Sequence, residues 1–242
     1  MIITQNIQNI LRYQKIIGHL RTMWSMRSLK VRDFTIEPVP RSAIQAFVHR
    51  WHYSHDTNGV QQTQCFALFD GNRMIGAMIY AIPSMPATAA KYNPDNPLRC
   101  WELRRLCCID DTPTNTESYF IGQTLRWLRQ NTDIEVIVSY ADLEQGHEGV
   151  IYKASNFYYL GQSGGSSILM VDGKKYHNRS MNQKIKPYGR ELKRRWDNKE
   201  GHKWWDSKEE NMYYVDTKPK NIYVYYLSKK AKKKYLYVDS KN

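Results

Sequence analysis

The segment that most constrains the fold is IEVIVSYA, residues 134–141. It is rich in β-branched residues and apolar at both odd and even positions, so as a strand it must be covered on both faces. The next residues, DLEQGHEGVIYKASNF, place an acidic residue at the strand end and then a Gly-His-x-Gly turn. Gly146 to Ser155 is expected to be a short helix burying Val150, Ile151 and Ala154. Asn156 stands where a left-handed residue ends such a helix before a strand beginning near Phe157.

The neighbouring segments supply the layers this strand needs. KVRDFTIEPV is strand-like, and in PRSAIQAFVHRWHY the residues Ala43, Ile44, Phe47, Val48 and Trp51 recur at helical spacing. QCFALFD and RMIGAMIYAI flank Gly71-Asn72, the signature of a hairpin. PSMPATAAKYNPDNP carries four prolines and is expected to be a loop. WELRRLCCI is a strand, and TNTESYFIGQTLRWLRQ is a helix capped at Thr114 or Asn115 with Phe120, Ile121, Leu125 and Leu128 inward. SSILMVDGKKYH is a strand with a turn at Asp172-Gly173, and NIYVYYL is the last strand. The expected fold class is α/β: a mixed, mostly antiparallel twisted sheet flanked by helices. The chain divides into three regions: an N-terminal helical extension at 1–30, a catalytic domain at 31–170, and a basic, aromatic-rich extension at 171–242 packed on the core.

Charge separates the last of these from the rest. The chain carries +13 overall; by count, residues 1–170 contribute +2 and residues 171–242 contribute +11. A basic segment this rich in Tyr and Trp suits a nucleic acid better than a lipid surface. Lys184, Lys186, Arg190, Lys193, Arg194 and Arg195, with Trp196, Trp204 and Trp205, are candidate contacts to a phosphate backbone, and the Lys229–Lys234 run adds nonspecific attraction. Cys65, Cys100, Cys107 and Cys108 have neither CxxC spacing nor a partner base, so they are expected to be reduced, buried packing residues in a cytoplasmic protein. The first 24 residues read as a peripheral amphipathic helix, neither a signal peptide nor a membrane span.

Strand alternation in WELRRLCC sends Glu102 and Arg104 to one face and Trp101, Leu103 and Arg105 to the other. One arginine either lines a cleft or forms an internal pair with Glu102. His52, Tyr53, His55 and Asp142 supply nitrogen and oxygen donors; as donors they suit a mononuclear iron centre or a hydrogen-bonded structural cluster. His147 is a further ligand or simply a helix-start residue.

WHYSHDTNG, WELRRLCC, NTESYFIGQTL and YADLEQGHEGVIYKASNFYYLG, taken together, resemble the Mom family of bacteriophage adenine-modification proteins, over residues 31–170 with a weaker echo in PKNIYVYYL. That family is built on the GNAT fold of acyl-CoA-dependent N-acetyltransferases, which IYKASNF also resembles. The resemblance implies an enzyme of a bacterial host's cytoplasm that converts the N6 amine of adenine in double-stranded DNA to N6-(carbamoylmethyl)adenine and so shields phage DNA from restriction. It implies iron, with His52, Tyr53 and Asp142 as ligands, and a group donor such as acetyl-CoA. Tyr152 is then the candidate acid, with Tyr53, Asp142, Ser118 and Arg104 in the catalytic set. Arg105, Thr116, Ser118 and Gly122 take the place of the Q/R-x-x-G-x-G/A pyrophosphate loop, which TNTESYFIG lacks. Acyl transfer alone cannot give the carbamoylmethyl product, since it yields an amide of N6. The other readings are an acetyltransferase acting on a protein, RNA-linked or small amine, and a non-catalytic nucleic-acid-binding module.

Overall fold

The computed structural model describes residues 30–57, 59, 63–176, 189–192 and 212–235. In chain order its elements are β1 (Thr35–Val39), α1 (Arg41–Trp51), β2 (Thr63–Asp70), β3 (Arg73–Ala81), α2 (Pro86–Tyr92), β4 (Cys100–Cys108), α3 (Thr116–Asn131) and β5 (Val136–Asp142). They continue with α4 (Val150–Ala154), β6 (Tyr158–Gln162), β7 (Ser166–Val171), β8 (Lys174–Tyr176), β9 (Met212–Thr217), β10 (Lys220–Tyr226) and α5 (Lys229–Tyr235). Seven strands form one sheet in the order β1-β2-β3-β4-β5-β10-β6, and β8-β7-β9 form a second. β4 and β5 are parallel, whereas β1/β2, β5/β10 and β10/β6 are antiparallel. The mixed, mostly antiparallel α/β architecture expected from the sequence is therefore present.

Two compact units are built from the described residues: those up to Tyr80 with Arg105–Trp127, and Ala81–Arg104 with those from Leu128 onward. In the first, the β2–β3 hairpin turns at Gly71, whose φ of 56° lies in the left-handed region glycine favours. Phe66 meets the rings of Tyr80 and Trp127 edge-on at 6.1 and 5.2 Å, and Tyr80 Oη lies 2.8 Å from Thr124 Oγ1. Of the residues expected on the inner face of α1, only Ile44 and Val48 are buried; Ala43 and Trp51 are exposed.

In the second unit, β5 is covered on both faces, as its composition requires. One face gathers Val136, Val138, Ile222, Val224 and Tyr226 beneath Ala89 and Tyr92 of α2 and Ala231 and Tyr235 of α5. Burial of each such Val or Ile contributes about 1.5–3 kcal/mol. The expected proline-rich loop thus contains a helix. Pro86 stands in the first turn, where a missing N–H costs nothing, and three alanines and Lys91 of PATAAKY are good helix formers, while Pro83, Pro94 and Pro97 fall outside it. The smaller sheet packs Leu169, Val171 and Met212 around Leu192.

Two further expectations are corrected. The Gly-His-x-Gly segment is not helical: a 3-10 turn at Leu143–Gln145 precedes it, and α4 begins only at Val150. Val150 is 68% exposed and Ala154 is exposed; Gly149, Tyr152, Ser155 and Phe157 are the buried residues here. β10, expected as the last strand within a basic extension packed on the core, is an interior strand of the larger sheet, between β5 and β6. The segment 1–29, expected to be a helical extension, lies outside the described residues. No helix among the described residues is long and apolar enough to cross a membrane.

Candidate active site

β5 ends at Asp142, and antiparallel register sets Lys220 of β10 directly opposite. Lys220 Nζ donates to Asp142 Oδ2 at 2.8 Å, and the Glu144 N–H donates to Oδ1 at 3.0 Å. Lys220 is itself fixed by Ser163, whose Oγ accepts its N–H at 2.9 Å and whose N–H donates to its carbonyl at 2.8 Å. Burial alone raises the Asp142 pKa, but the Lys220 hydrogen bond and charge, the Glu144 N–H and His147 outweigh it, and the carboxyl is held below the usual carboxylate range. The side chain at this strand end is an oriented carboxylate.

Strand alternation puts Tyr140 on the same face as Asp142, and the parallel register of Glu102 with Val138 adds Glu102 and Arg104 to it. Arg104 Nη1 lies 3.6 Å from Glu102 Oε2 and donates to Ser84 Oγ. Burial, reinforced by the charge of Glu102, raises the pKa of the Tyr140 phenol, which hydrogen-bonds with Thr88 and Tyr92. Ser84, Glu102, Arg104, Tyr140, Asp142 and Lys220 therefore share one face, toward the carboxyl ends of two parallel strands, where open α/β sheets place their ligands. The pair of Arg104 with Glu102 is observed, and it lies on this same face. Arg105, on the other face of β4, donates from Nε to the Asp56 carbonyl at 3.0 Å and so anchors the loop after α1.

The Gly-His-x-Gly turn serves the opposite face. Tyr223 Oη donates to the Glu148 carbonyl at 2.6 Å, and Asn221 Nδ2 reaches the same oxygen at 3.3 Å. Gly149 has φ 85°, and a Cβ there would overlap the Tyr223 ring. Tyr152 comes next, its ring 5.2 Å from Tyr223 and 5.5 Å from Phe157. Because Tyr223 opposes Ser139 while Lys220 opposes Asp142, Tyr152 packs on the face away from Asp142. The expectation that both enter one cleft is corrected: closeness in sequence across a turn does not put two side chains on one face of the sheet. Asn156, at φ 62°, takes the left-handed conformation expected of it.

In the first unit His52 is buried, its Nδ1 accepting the Ser54 N–H at 3.1 Å with Ser54 Oγ 2.8 Å away, and the ring of Tyr53, 46% exposed, lies 4.3 Å from it. His55 Nδ1 contacts the His49 carbonyl at 2.8 Å. At the start of α3 the Thr116 and Ser118 hydroxyls donate to the carbonyls of Pro113 and Asn115 at 2.7 and 3.0 Å. Gly122 lies within α3 with open space beside it.

The model of the Mom protein family matches residues 33–242. This chain belongs to the Mom protein family. The protein described as methylcarbamoylase mom of Escherichia phage Mu is 32% identical over 117 residues, 48% of this chain and 48% of that protein. The chain thus matches about half the length of that curated relative. Among solved structures, the chain is similar to the spermidine/spermine N-acetyltransferase SpeG of Vibrio cholerae (TM-score 0.43, 10% identity, 84% of this chain and 98% of that one). It is also similar to the ribosomal-protein-S18-alanine N-acetyltransferase of Escherichia coli (TM-score 0.43, 9% identity, 81% and 94%).

For a Mom protein, the residues brought together are Arg104 and Asp142, joined by Glu102, Tyr140 and Lys220, which residue-type reasoning does not place in the site. Period-2 alternation in SYAD marks Tyr140, whereas nothing local marks Lys220. Among the described residues no group of three or more His, Cys, Asp and Glu side chains could hold a metal ion. The expected iron ligands are each held by groups of their own, His52 Nδ1 by the Ser54 N–H and Asp142 by Lys220 and the Glu144 N–H, and the described residues give iron no support. Nor does the start of α3 fit a pyrophosphate: its hydroxyl protons are turned back to carbonyls, and Glu117 in its first turn opposes an anion. Of the candidate DNA contacts, Arg190 is exposed; Lys184, Lys186, Arg194, Arg195, Trp204 and Trp205 lie outside the described residues.

Proposed function

We propose that this chain is a phage DNA-modification enzyme that replaces one hydrogen on N6 of adenine in double-stranded DNA by a carbamoylmethyl group, in the cytoplasm of a bacterial host, and so protects phage DNA from restriction. The observation that carries the reading is membership of the Mom family over residues 33–242, supported by 32% identity to a methylcarbamoylase. N6 of adenine is a weak nucleophile, its lone pair delocalised into the ring, and in a duplex it is paired and stacked. The base must be extruded into a site that accepts the displaced proton. Asp142 is the group suited to accept it: ionised, oriented by Lys220 and the Glu144 N–H, and at the carboxyl end of β5. Arg104 and Glu102 provide paired donor and acceptor groups on the same face. Tyr53, exposed beside His52, is a further candidate catalytic residue, while Tyr152 supports the site through Tyr223 and the Gly-His-x-Gly turn. The donor must carry the carboxamide nitrogen or acquire it in a later step, because an acyl thioester by itself yields an amide of N6.

The test is mass spectrometry of nucleosides from plasmid DNA of cells expressing the chain, beside an Asp142→Ala control. The expected result is a deoxyadenosine heavier by a carbamoylmethyl group that disappears in the control. Unmodified deoxyadenosine from cells containing folded wild-type protein overturns the proposal.

A further inference from the structure

We infer that α5, with Lys91 of α2, is a docking surface for the sugar-phosphate backbone of duplex DNA. The inference deepens the proposed DNA-modification function and rests on it for the choice of DNA as the polyanion. α5 is KKAKKKY: Ala231 and Tyr235 are buried against the sheet, and the five lysines face outward with no acidic residue among them. Two of the five are engaged locally. Lys234 pairs with Asp95, and Lys232 lies over the Tyr158 ring at 5.0 Å. Of the other carboxylates nearby, Glu102 is matched by Arg104 and Asp142 by Lys220, while Glu135 and Asp133 share Arg99. Lys229, Lys230 and Lys233 remain exposed with no carboxylate partner among the described residues, and Lys91, also exposed, lies over the Tyr92 ring at 5.2 Å, so the outward field of the face is positive.

Three features select duplex backbone. The outer surface of α5 has no large apolar side chain to enter a bilayer. It has no free aromatic face for stacking an unpaired base either: Tyr92 and Tyr235 are buried and Tyr158 is covered by Lys232. What remains is point charges on a rigid helix, which contact phosphates without reading sequence. The placement also fits. Ala231 and Tyr235 pack with Val136 and Tyr226, at the far end of β5 from Asp142 and Lys220 but on the same face. Six residues of strand separate those ends, about 20 Å at roughly 3.3 Å per residue, or about six base steps of duplex. A duplex held on α5 can present an extruded base to the Asp142 end.

The experiment uses the full chain and a variant with Lys229→Gln, Lys230→Gln and Lys233→Gln, which keeps good helix formers and leaves the buried anchors intact. Duplex affinity is measured by fluorescence anisotropy over a salt series, with a single strand of the same sequence and anionic phospholipid vesicles as comparison ligands, and thermal melting confirms folding. The expected result is a plot of log affinity against log salt that is shallower by up to about 0.9 per lysine, and a loss of duplex affinity of tenfold or more at low salt. The Lys→Arg version of the same triple should restore both. Unchanged affinity and slope for duplex, or a loss confined to vesicles or single strands, overturns the inference. If wild-type protein leaves adenine unmodified but the glutamine variant still loses duplex binding, the modification reading falls and the docking surface stands. If DNA is modified and the slope does not move, the docking surface falls alone.

Discussion

At the scale of single residues, Gly149 is the clearest case of a side chain excluded by its surroundings. Its left-handed φ alone costs an L-residue about 1–3 kcal/mol, and the Tyr223 ring occupies the place a Cβ would take. Gly146 has φ 72° but open space beside it, so it isolates the backbone contribution. Gly149→Ala is therefore expected to lose about 3 kcal/mol or more in urea denaturation, and Gly146→Ala about 1–2 kcal/mol. Equal losses would show that the Tyr223 contact is not what excludes a side chain at 149. The sequence flags both glycines as a turn, but it does not separate them, because the ring that distinguishes them arrives from β10, some 70 residues later. The same is true of Asp142. Its position at the end of an apolar strand is legible, while the Lys220 that orients it is not.

At the scale of elements, local chemistry decides what is legible. Gly71-Asn72 and Asp172-Gly173 mark hairpins because their turns demand left-handed residues, and the apolar run of β5 marks a buried strand. Proline count misleads at α2, where the position of Pro86 in the first turn matters more than the number of prolines nearby. β10 reads as a strand but not as an interior one. Its insertion between β5 and β6 has a strong consequence. Ile222, Tyr223, Val224 and Tyr226 are all buried, and their burial contributes about 6–12 kcal/mol, comparable to the whole stability of a domain. A chain ending at residue 219 loses β10 and α5 together and exposes the edges of β5 and β6. It is expected to be insoluble or to lack a cooperative urea transition, as judged by circular dichroism. A soluble 1–219 fragment with a sharp transition near that of the full chain would contradict this.

At the scale of the whole molecule, what the sequence leaves open is which strands become neighbours, since strand order is set by pairings between distant segments that no local pattern encodes. The core those pairings enclose makes a prediction of its own. Cys100 and Cys107 are buried, and burial pushes both thiols up to about 12, with the charge of Glu102 adding to the effect at Cys100. An unfolded thiol ionises near pH 8.5. Between that value and the folded pKa the unfolded chain releases protons the folded chain retains, so stability is complete below about pH 8.5 and falls as pH rises. The slope is about 1.4 kcal/mol per pH unit for each thiol. At pH 10.5 the two thiols together remove about 5 kcal/mol, enough to unfold a marginally stable domain. Burial likewise raises Tyr140 and Tyr223, which extend the effect only near and above pH 10. Urea midpoints are therefore expected to be level between pH 7 and 8 and to drop steeply by pH 10. Replacing both cysteines by alanine should lessen the drop between pH 8.5 and 10, the remainder coming from Cys108 and Cys65, whose thiols burial also raises, while lowering the midpoint at pH 7 through lost packing. A wild-type midpoint that stays level to pH 10.5 would mean that the thiols ionise as readily in the folded protein as in the unfolded chain, and that this core is open to water.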